Sequence, residues 1–295
     1  MMSTLKRIAK NIIGRTNYRI VHKESPIFKA GGGAAKKATR QASLPGTEPA
    51  HRPAVQGNSV SSGPYPFKVI EYGKSDLKVA IDPDVVSEKV IRYIRNGWYE
   101  SREIQELSKL VREGDTVVEL GSGVGLISSA AWKTGRISVM HCFEADPRLI
   151  GLVKETHRLN GVGNAQVHNC AISPKPADLD RGSILFHLRE DFWGSSIDST
   201  TGRSVKANVE VPVRSLDDIL GEYRPMLLII DIEGAEDGLF EGADLSSVDR
   251  VSIEIHPAIL KGAGVRRLFD DLHAAGLVYD AKHSAYRVCV FSRSD

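Results

Sequence analysis

Apolar and polar positions follow two periods along this chain. Phe67 to Tyr72 and Leu77 to Ile81 alternate with period two around Gly73-Lys74-Ser75-Asp76, which predicts a hairpin. Val85–Ile94 and Ser101–Arg112 have helical spacing, with Ile104, Leu107, Leu110 and Val111 on one face of the second. Strands are then predicted at Thr116–Leu120, Ile137–Phe143, Ala165–Cys170, Met226–Asp231 and Arg250–Ile255. Helices are predicted from about Leu126, over Pro147–Leu159, briefly after Gly234, and over Gly264–Ala275. Ser183–Leu188 and Val209–Val213 read as further extended segments, and Leu277–Tyr279 and Tyr286–Phe291 as closing strands. Strands alternating with helices predict an α/β fold, a mostly parallel central sheet with helices on both faces. Ligands of such sheets bind outside the carboxyl ends of the strands, where the strand order reverses. Pro174–Lys206 interrupts the alternation without a strong helix and is a candidate substrate loop or lid.

Composition divides the chain in two. Residues 1–60 carry eleven Lys/Arg and two acids, +9, while the remainder carries 28 basic and 35 acidic residues, −7. Leu5, Ile8, Ile12 and Ile13 lie at helical spacing among Lys6, Arg7, Lys10 and Arg15, a short basic amphipathic helix. It reads as a membrane-surface or partner-docking helix, a transit peptide, or a solvated helix packed on the domain; the last is favoured. Residues 31–63 are rich in Gly, Ala, Ser, Pro and Lys and have little to bury, as in a disordered linker. Residues 1–64 are thus expected to form an arm and linker, and 65–295 the folded domain. At 41% hydrophobic and 26% charged residues the composition is that of a soluble globular protein, and no apolar run approaches the roughly 20 residues of a membrane span. Cys142, Cys170 and Cys289 show no metal-ligand spacing, and their odd number speaks against a disulfide framework. A reducing, cytoplasmic setting is expected.

The chemistry starts at Thr116–Gly125, TVVELGSGVG, a β-branched run followed by Gly121, Gly123 and Gly125. Strand, glycine turn and helix in that order bring backbone N–H groups close to a nucleotide-like ligand. Glu144 closes the second strand, 23 positions after Gly121, where a carboxylate accepts hydrogen bonds from ribose hydroxyls. Asp146 is better placed to cap the helix beginning at Pro147. A dinucleotide site calls for a small residue where this chain has Leu126, which disfavours a nicotinamide cofactor. Glu119-x-Gly121-x-Gly123-x-Gly125 instead resembles the first motif of S-adenosylmethionine (SAM) methyltransferases, in which an acid at the strand end can help hold the SAM ammonium.

Several segments together resemble one family. GWYESREIQEL, GDTVVELGSGVGLIS, CFEADP, NCAIS, VPVRSLDDIL, LLIIDIEGAEDGLFEG and VSIEIHP, spread over residues 97–278, are similar to FkbM-type SAM-dependent O-methyltransferases. The DIEGAE block with the later EIHP is the most specific part. The family commonly has Asp-x-Gly-Ala-Asn-x-Gly at the first motif, where this chain has Glu119 and Ser122-Gly123. It commonly has Lys where this chain has Ile230, which removes a charge beside the expected active centre.

The resemblance implies a Rossmann-like class I methyltransferase fold with SAM as cofactor. It implies methyl transfer to a hydroxyl of a sugar, glycolipid or polyketide-like acceptor. Glu119, Gly121, Ser122, Gly123, Gly125, Glu144 and Ala171 are expected to bind the cofactor, Ala171 by its backbone N–H near adenine. Asp231, Glu233 and His256, at the ends of the fourth and fifth strands, are the expected catalytic residues, because a hydroxyl must lose its proton as it attacks the methyl group. Glu236 shares this reading, and Tyr99 and Glu100 could close over the amino acid end of the cofactor. Trp193, Ser195 and Ser196 match a serine-bearing segment of the family. Clustered acids could also hold Mg²⁺; the expectation from sequence is a metal-free centre. A nucleic-acid partner is disfavoured by the −7 charge of the body and by DIEGAE in place of an Asn/Asp-Pro-Pro-aromatic segment. A weak membrane-surface contact through the basic arm is retained as an expectation. Two alternatives stay open: a nicotinamide-dependent oxidoreductase, and a non-catalytic SAM-binding or interaction protein.

Overall fold

The computed structural model describes residues 67–189, 192 and 205–293. The basic helix, the linker, Trp193, Ser195 and Ser196 lie outside them.

The first hairpin forms as expected. β1 (Lys68–Glu71) and β2 (Lys78–Ile81) pair antiparallel, Lys68 opposite Ile81. Two helices follow, α1 (Glu88–Arg95) and α2 (Ser101–Leu110). α1 begins later than the periodicity suggests, because the Ser87 side chain accepts the Val90 N–H and caps it there.

The alternating region then runs β3 (Asp115–Leu120), α3 (Leu126–Trp132), β4 (Ile137–Glu144), α4 (Ile150–Leu159) and β5 (Ala165–Asn169). After an excursion come β9 (Leu227–Ile230), β10 (Arg250–Glu254), α7 (Pro257–Ala274), β11 (Leu277–Tyr279) and β12 (Val288–Arg293). These strands form one seven-stranded sheet in the order β11-β12-β10-β9-β3-β4-β5. β12 alone runs against its neighbours. The link from Tyr279 to Val288 is too short for the dozen or more residues of a parallel crossover, so β11 and β12 close as a hairpin. All four residues of β9 are buried, as expected of a parallel strand covered on both faces. Strand order reverses between β3 and β9, which puts the ligand crevice outside their carboxyl ends.

Three expectations are corrected. No helix follows Gly234; residues 232–243 form successive turns, such as Leu239 N–H to the Glu236 carbonyl. Gly234, Gly238 and Gly242 all have positive φ, so every helical path there is interrupted within one turn. The last helix begins at Pro257, not Gly264, and its helical path is broken at Lys261 (φ 59°, ψ 176°). The interruption at Pro174–Lys206 is not wholly a loop. It holds α5 (Pro176–Arg181), β7 (Ser183–Arg189) and the first residues of β8 (Val205–Arg214). β7 and β8 pair antiparallel beside β6 (Ala171–Ile172), a three-stranded sheet of its own with Val209 and Val211 in its core. α6 (Leu216–Tyr223), capped by Ser215, leads back to β9.

Candidate active site

The turn after β3 is shaped by its neighbours. Gly121 (φ 85°) passes so close to the end of β9 that a Cβ there would stand 1.7 Å from the Asp231 carbonyl oxygen. Its N–H donates to the Phe143 carbonyl at 2.9 Å, and the Asp231 N–H donates to the Leu120 carbonyl at 2.9 Å. The turn is therefore laced to both flanking strands before any ligand is considered. Gly125 ends the turn. It caps α3, and a Cβ would meet Val153 Cα of α4 at 3.1 Å, so its glycine serves helix packing.

A cleft of about 730 Å³, open solvent included, lies over this turn. Gly121, Gly123, Glu144, Ala171, Asp231 and Glu233 of the expected set line it, with Tyr99, Glu100, Phe143, Phe186 and Phe192. Tyr99 and Glu100 form part of its wall, the Tyr99 hydroxyl standing 3.4 Å from where a Gly123 Cβ would be. Glu100 adopts a left-handed backbone (φ 51°) at the start of α2. Glu144 accepts the Gly123 N–H at 2.8 Å with one oxygen and the Asp146 N–H at 2.7 Å with the other. Burial pushes its carboxyl up to about 8, against the pull of these two hydrogen bonds. Asp146, also at the cleft, is engaged elsewhere: it accepts the Arg148 N–H at 2.9 Å and pairs with the Arg148 guanidinium. That fixes the turn ahead of α4, which begins at Ile150 rather than Pro147.

Glu119, Ser122 and Gly125 do not line this cleft. Glu119 is only 1% exposed, beneath the turn, and burial raises its carboxyl pKa. Ser122, Ser128 and Cys142 stand around it, but neither oxygen closes a well-formed hydrogen bond. It instead lines a smaller cavity of about 420 Å³ between α2 and the sheet, together with Glu100, Glu103, Asp231 and Glu254. Glu103 and Glu254 were missed in the sequence. The signal for Glu103 was its helical phase, since it falls three residues after Glu100 and four before Leu107, on the inward face of α2. Ser122 is buried, its hydroxyl directed at the Phe143 carbonyl at 3.3 Å.

The ends of β9 and β10 bring the expected catalytic residues together. His256 Nδ1 lies 2.7 Å from Glu236 Oε1, and Nε2 faces Glu233 Oε2 at 3.5 Å and Asp231 Oδ1 at 3.9 Å. Glu236 is completely buried and also accepts the Gly234 N–H at 3.0 Å. The turns after Ile232 swing Glu236 back under the imidazole, which a helix there would not do. Burial alone would lower the His256 pKa, but the Glu236 hydrogen bond and the charges of Glu236, Asp231 and Glu233 raise it to about 9. Burial and the nearby Glu233 and Glu254 hold the Asp231 carboxyl well above its ordinary range, while His256 pulls the other way. The Asp231 side chain keeps 36% of its exposure, so the adjacent carboxylates are the firmer cause.

Residues 121–279 match the family described as Methyltransferase FkbM domain, more than half of the chain. The chain belongs to the FkbM methyltransferase family. By that membership it is a SAM-dependent methyltransferase, and its sheet order is Rossmann-like. No curated protein is found to match it in sequence. Solved structures with a similar chain path include the ribosomal protein L11 methylase of Lactobacillus delbrueckii subsp. bulgaricus. It is 13% identical over 68% of this chain and 81% of that one, with a TM-score of 0.40. M. jannaschii TYW2 in complex with AdoMet is 15% identical over 80% and 90%, with a TM-score of 0.42. Family membership rests on the sequence match, not on these distant likenesses.

The cleft fits the FkbM cofactor. Gly123 leaves room under Tyr99, and Glu144 lines the cleft at the end of β4 with backbone donors fixing both oxygens.

Proposed function

We propose that this FkbM protein methylates a hydroxyl of a sugar, glycolipid or polyketide-like acceptor, in a cytoplasmic setting. The observation that carries the reading is the convergence of Asp231, Glu233 and Glu236 on His256, with Asp231 and Glu233 lining the cofactor cleft. SAM, when bound, supplies an electrophilic methyl group with a neutral thioether as leaving group. The chain has three tasks around it. Glu144, Tyr99 and Glu100 hold the cofactor between β4 and the start of α2. The aromatic wall of Phe143, Phe186 and Phe192 excludes water from the cleft. The cluster at the ends of β9 and β10 orients the acceptor hydroxyl and provides for loss of its proton as attack proceeds. Two carboxylates facing the cleft supply what an oxygen nucleophile needs, and Ile230, 1% exposed in the core, cannot stand in for the lysine that the family commonly has.

Calorimetry with SAM and with NAD tests the cofactor, and binding of NAD in place of SAM would overturn the reading. Glu144→Gln is expected to weaken SAM by roughly tenfold, because an amide nitrogen there would face a backbone N–H and leave it unsatisfied. Asp231→Ala should keep SAM binding and lose at least about 100-fold in transfer of labelled methyl to carbohydrate extracts. Undiminished transfer by that variant would remove the cluster from the chemistry. The basic arm, residues 1–60 with charge +9, suits weak attachment to an anionic surface carrying such acceptors.

A further inference from the structure

We propose that Asp231, Glu233 and His256 form a binding site for a divalent cation of the Mg²⁺ or Mn²⁺ class, which receives the acceptor hydroxyl. The proposal rests on the reading that the acceptor reacts at this cluster. One donor atom from each of the three residues lies within 4.8 Å of the other two. Neighbouring donors of an octahedral cation with bonds of about 2.1 Å stand roughly 3 Å apart. The observed 3.5 Å and 3.9 Å from His256 Nε2 close to that spacing by side-chain rotation.

The surroundings support the same assignment. His256 uses Nδ1 on Glu236, a carboxylate with no exposure of its own, which fixes the ring and leaves Nε2 aimed at the two acids. A ligating histidine is characteristically held in this way through its other nitrogen. Asp231 Oδ1 is buried and accepts no hydrogen bond among the described residues, a lone pair directed into the gap. Glu233 reaches the gap from a left-handed backbone (φ 51°), a conformation that functional clusters retain and most others avoid. Two carboxylates and one imidazole favour a hard or intermediate cation over a soft one. The three donors cover one side, and Asp231 and Glu233 line the cleft, so the remaining positions face the acceptor. A cation there lowers the pKa of a hydroxyl bound to it. The oxygen–methyl bond then forms as the sulfur–methyl bond breaks, the electron pair stays on sulfur, and the hydroxyl proton leaves to solvent.

The test uses the full chain, stripped with a chelator and titrated with Mn²⁺ alone, with the unbound ion followed by electron paramagnetic resonance. One Mn²⁺ per chain is expected. Affinity should fall at least tenfold in Glu233→Gln, and by about 10- to 100-fold in Glu236→Gln through the loosened imidazole. SAM calorimetry checks that both variants fold. If they do not, bound Mn²⁺ must broaden the His256 imidazole resonances of the unaltered chain. No stoichiometric binding, equal affinity in Glu233→Gln, or sharp His256 resonances would overturn the site. Full methyl transfer by the stripped chain would overturn the cation's role and leave the methyl-transfer reading standing. Tight Mn²⁺ binding without transfer to any hydroxyl acceptor would uphold the site and count against that reading.

Discussion

His157 shows how a single buried base ties stability to pH. It sits in α4, 5% exposed, with Nε2 2.8 Å from the Ser128 hydroxyl of α3. Burial pushes its pKa down to about 4. The unfolded chain takes up this proton near pH 6.5, while the folded chain resists until about 4. His157 thus contributes stability that is fully present above pH 6.5 and lost as pH falls through 4. The loss is on the order of 3 kcal/mol. His141 and His168, stacked on Tyr223 and Phe143, are also lowered by burial and act in the same direction. Urea unfolding at pH 7 and pH 4 should show this loss, with a smaller difference in His157→Gln. An identical pH slope in that variant would assign the acid sensitivity elsewhere.

Two connections decide how the elements hold the site. Gly121 lets the turn after β3 cross the end of β9, and a methyl group there would run into a backbone carbonyl that cannot swing aside. Gly121→Ala is expected to cost more than about 4 kcal/mol, as a clash compounded by a positive φ. Gly114→Ala, also at positive φ (82°) but with nothing within 4 Å, should cost only about 1–2 kcal/mol. Comparing their melting curves separates close approach from backbone conformation. At the opposite end of the sheet Arg250 of β10 reaches Asp115 of β3 with two hydrogen bonds, 2.7 and 2.9 Å, and the Leu110 carbonyl closing α2. Both side chains are almost wholly buried. Arg250→Ala removes the only ion-pair partner of the buried Asp115 among the described residues, leaving it the Arg112 N–H, and should cost about 3–5 kcal/mol in denaturant titration. The pair thereby locks the helix that carries Tyr99 and Glu100 at its start to β3, which leads into the glycine turn, and to β10, which leads to His256.

At the scale of the whole molecule, charge separates arm from body. No helix among the described residues is long and apolar enough to cross a membrane. With +9 on residues 1–60 and −7 on the rest, any attraction to anionic vesicles should belong to the arm. A chain lacking residues 1–60 is expected to keep SAM affinity within about twofold, and to lose flotation with anionic vesicles at low salt. Equal flotation of the two chains would dismiss the arm as a membrane contact.

The order of strands and helices was legible because parallel strands buried on both faces leave apolar runs, and those runs came in alternation with helical spacing. The places of Glu144 and the turn glycines at strand ends were legible for the same reason. The three-stranded sheet of β6, β7 and β8 was not, since edge pairing depends on partners distant in sequence. Neither was the division of labour among the acids. Local pattern put Glu119 beside the glycine turn and gave Glu236 two readings, a catalytic acid or a helix-end charge. The crossing of Gly121 over Asp231 buried the first beneath the turn, and the turns at Gly234 and Gly238 folded the second under His256. Periodicity specifies which face of its own element a residue occupies. Only the meeting of elements through long-range packing sets which charges share a gap, and that decided the chemistry of this centre.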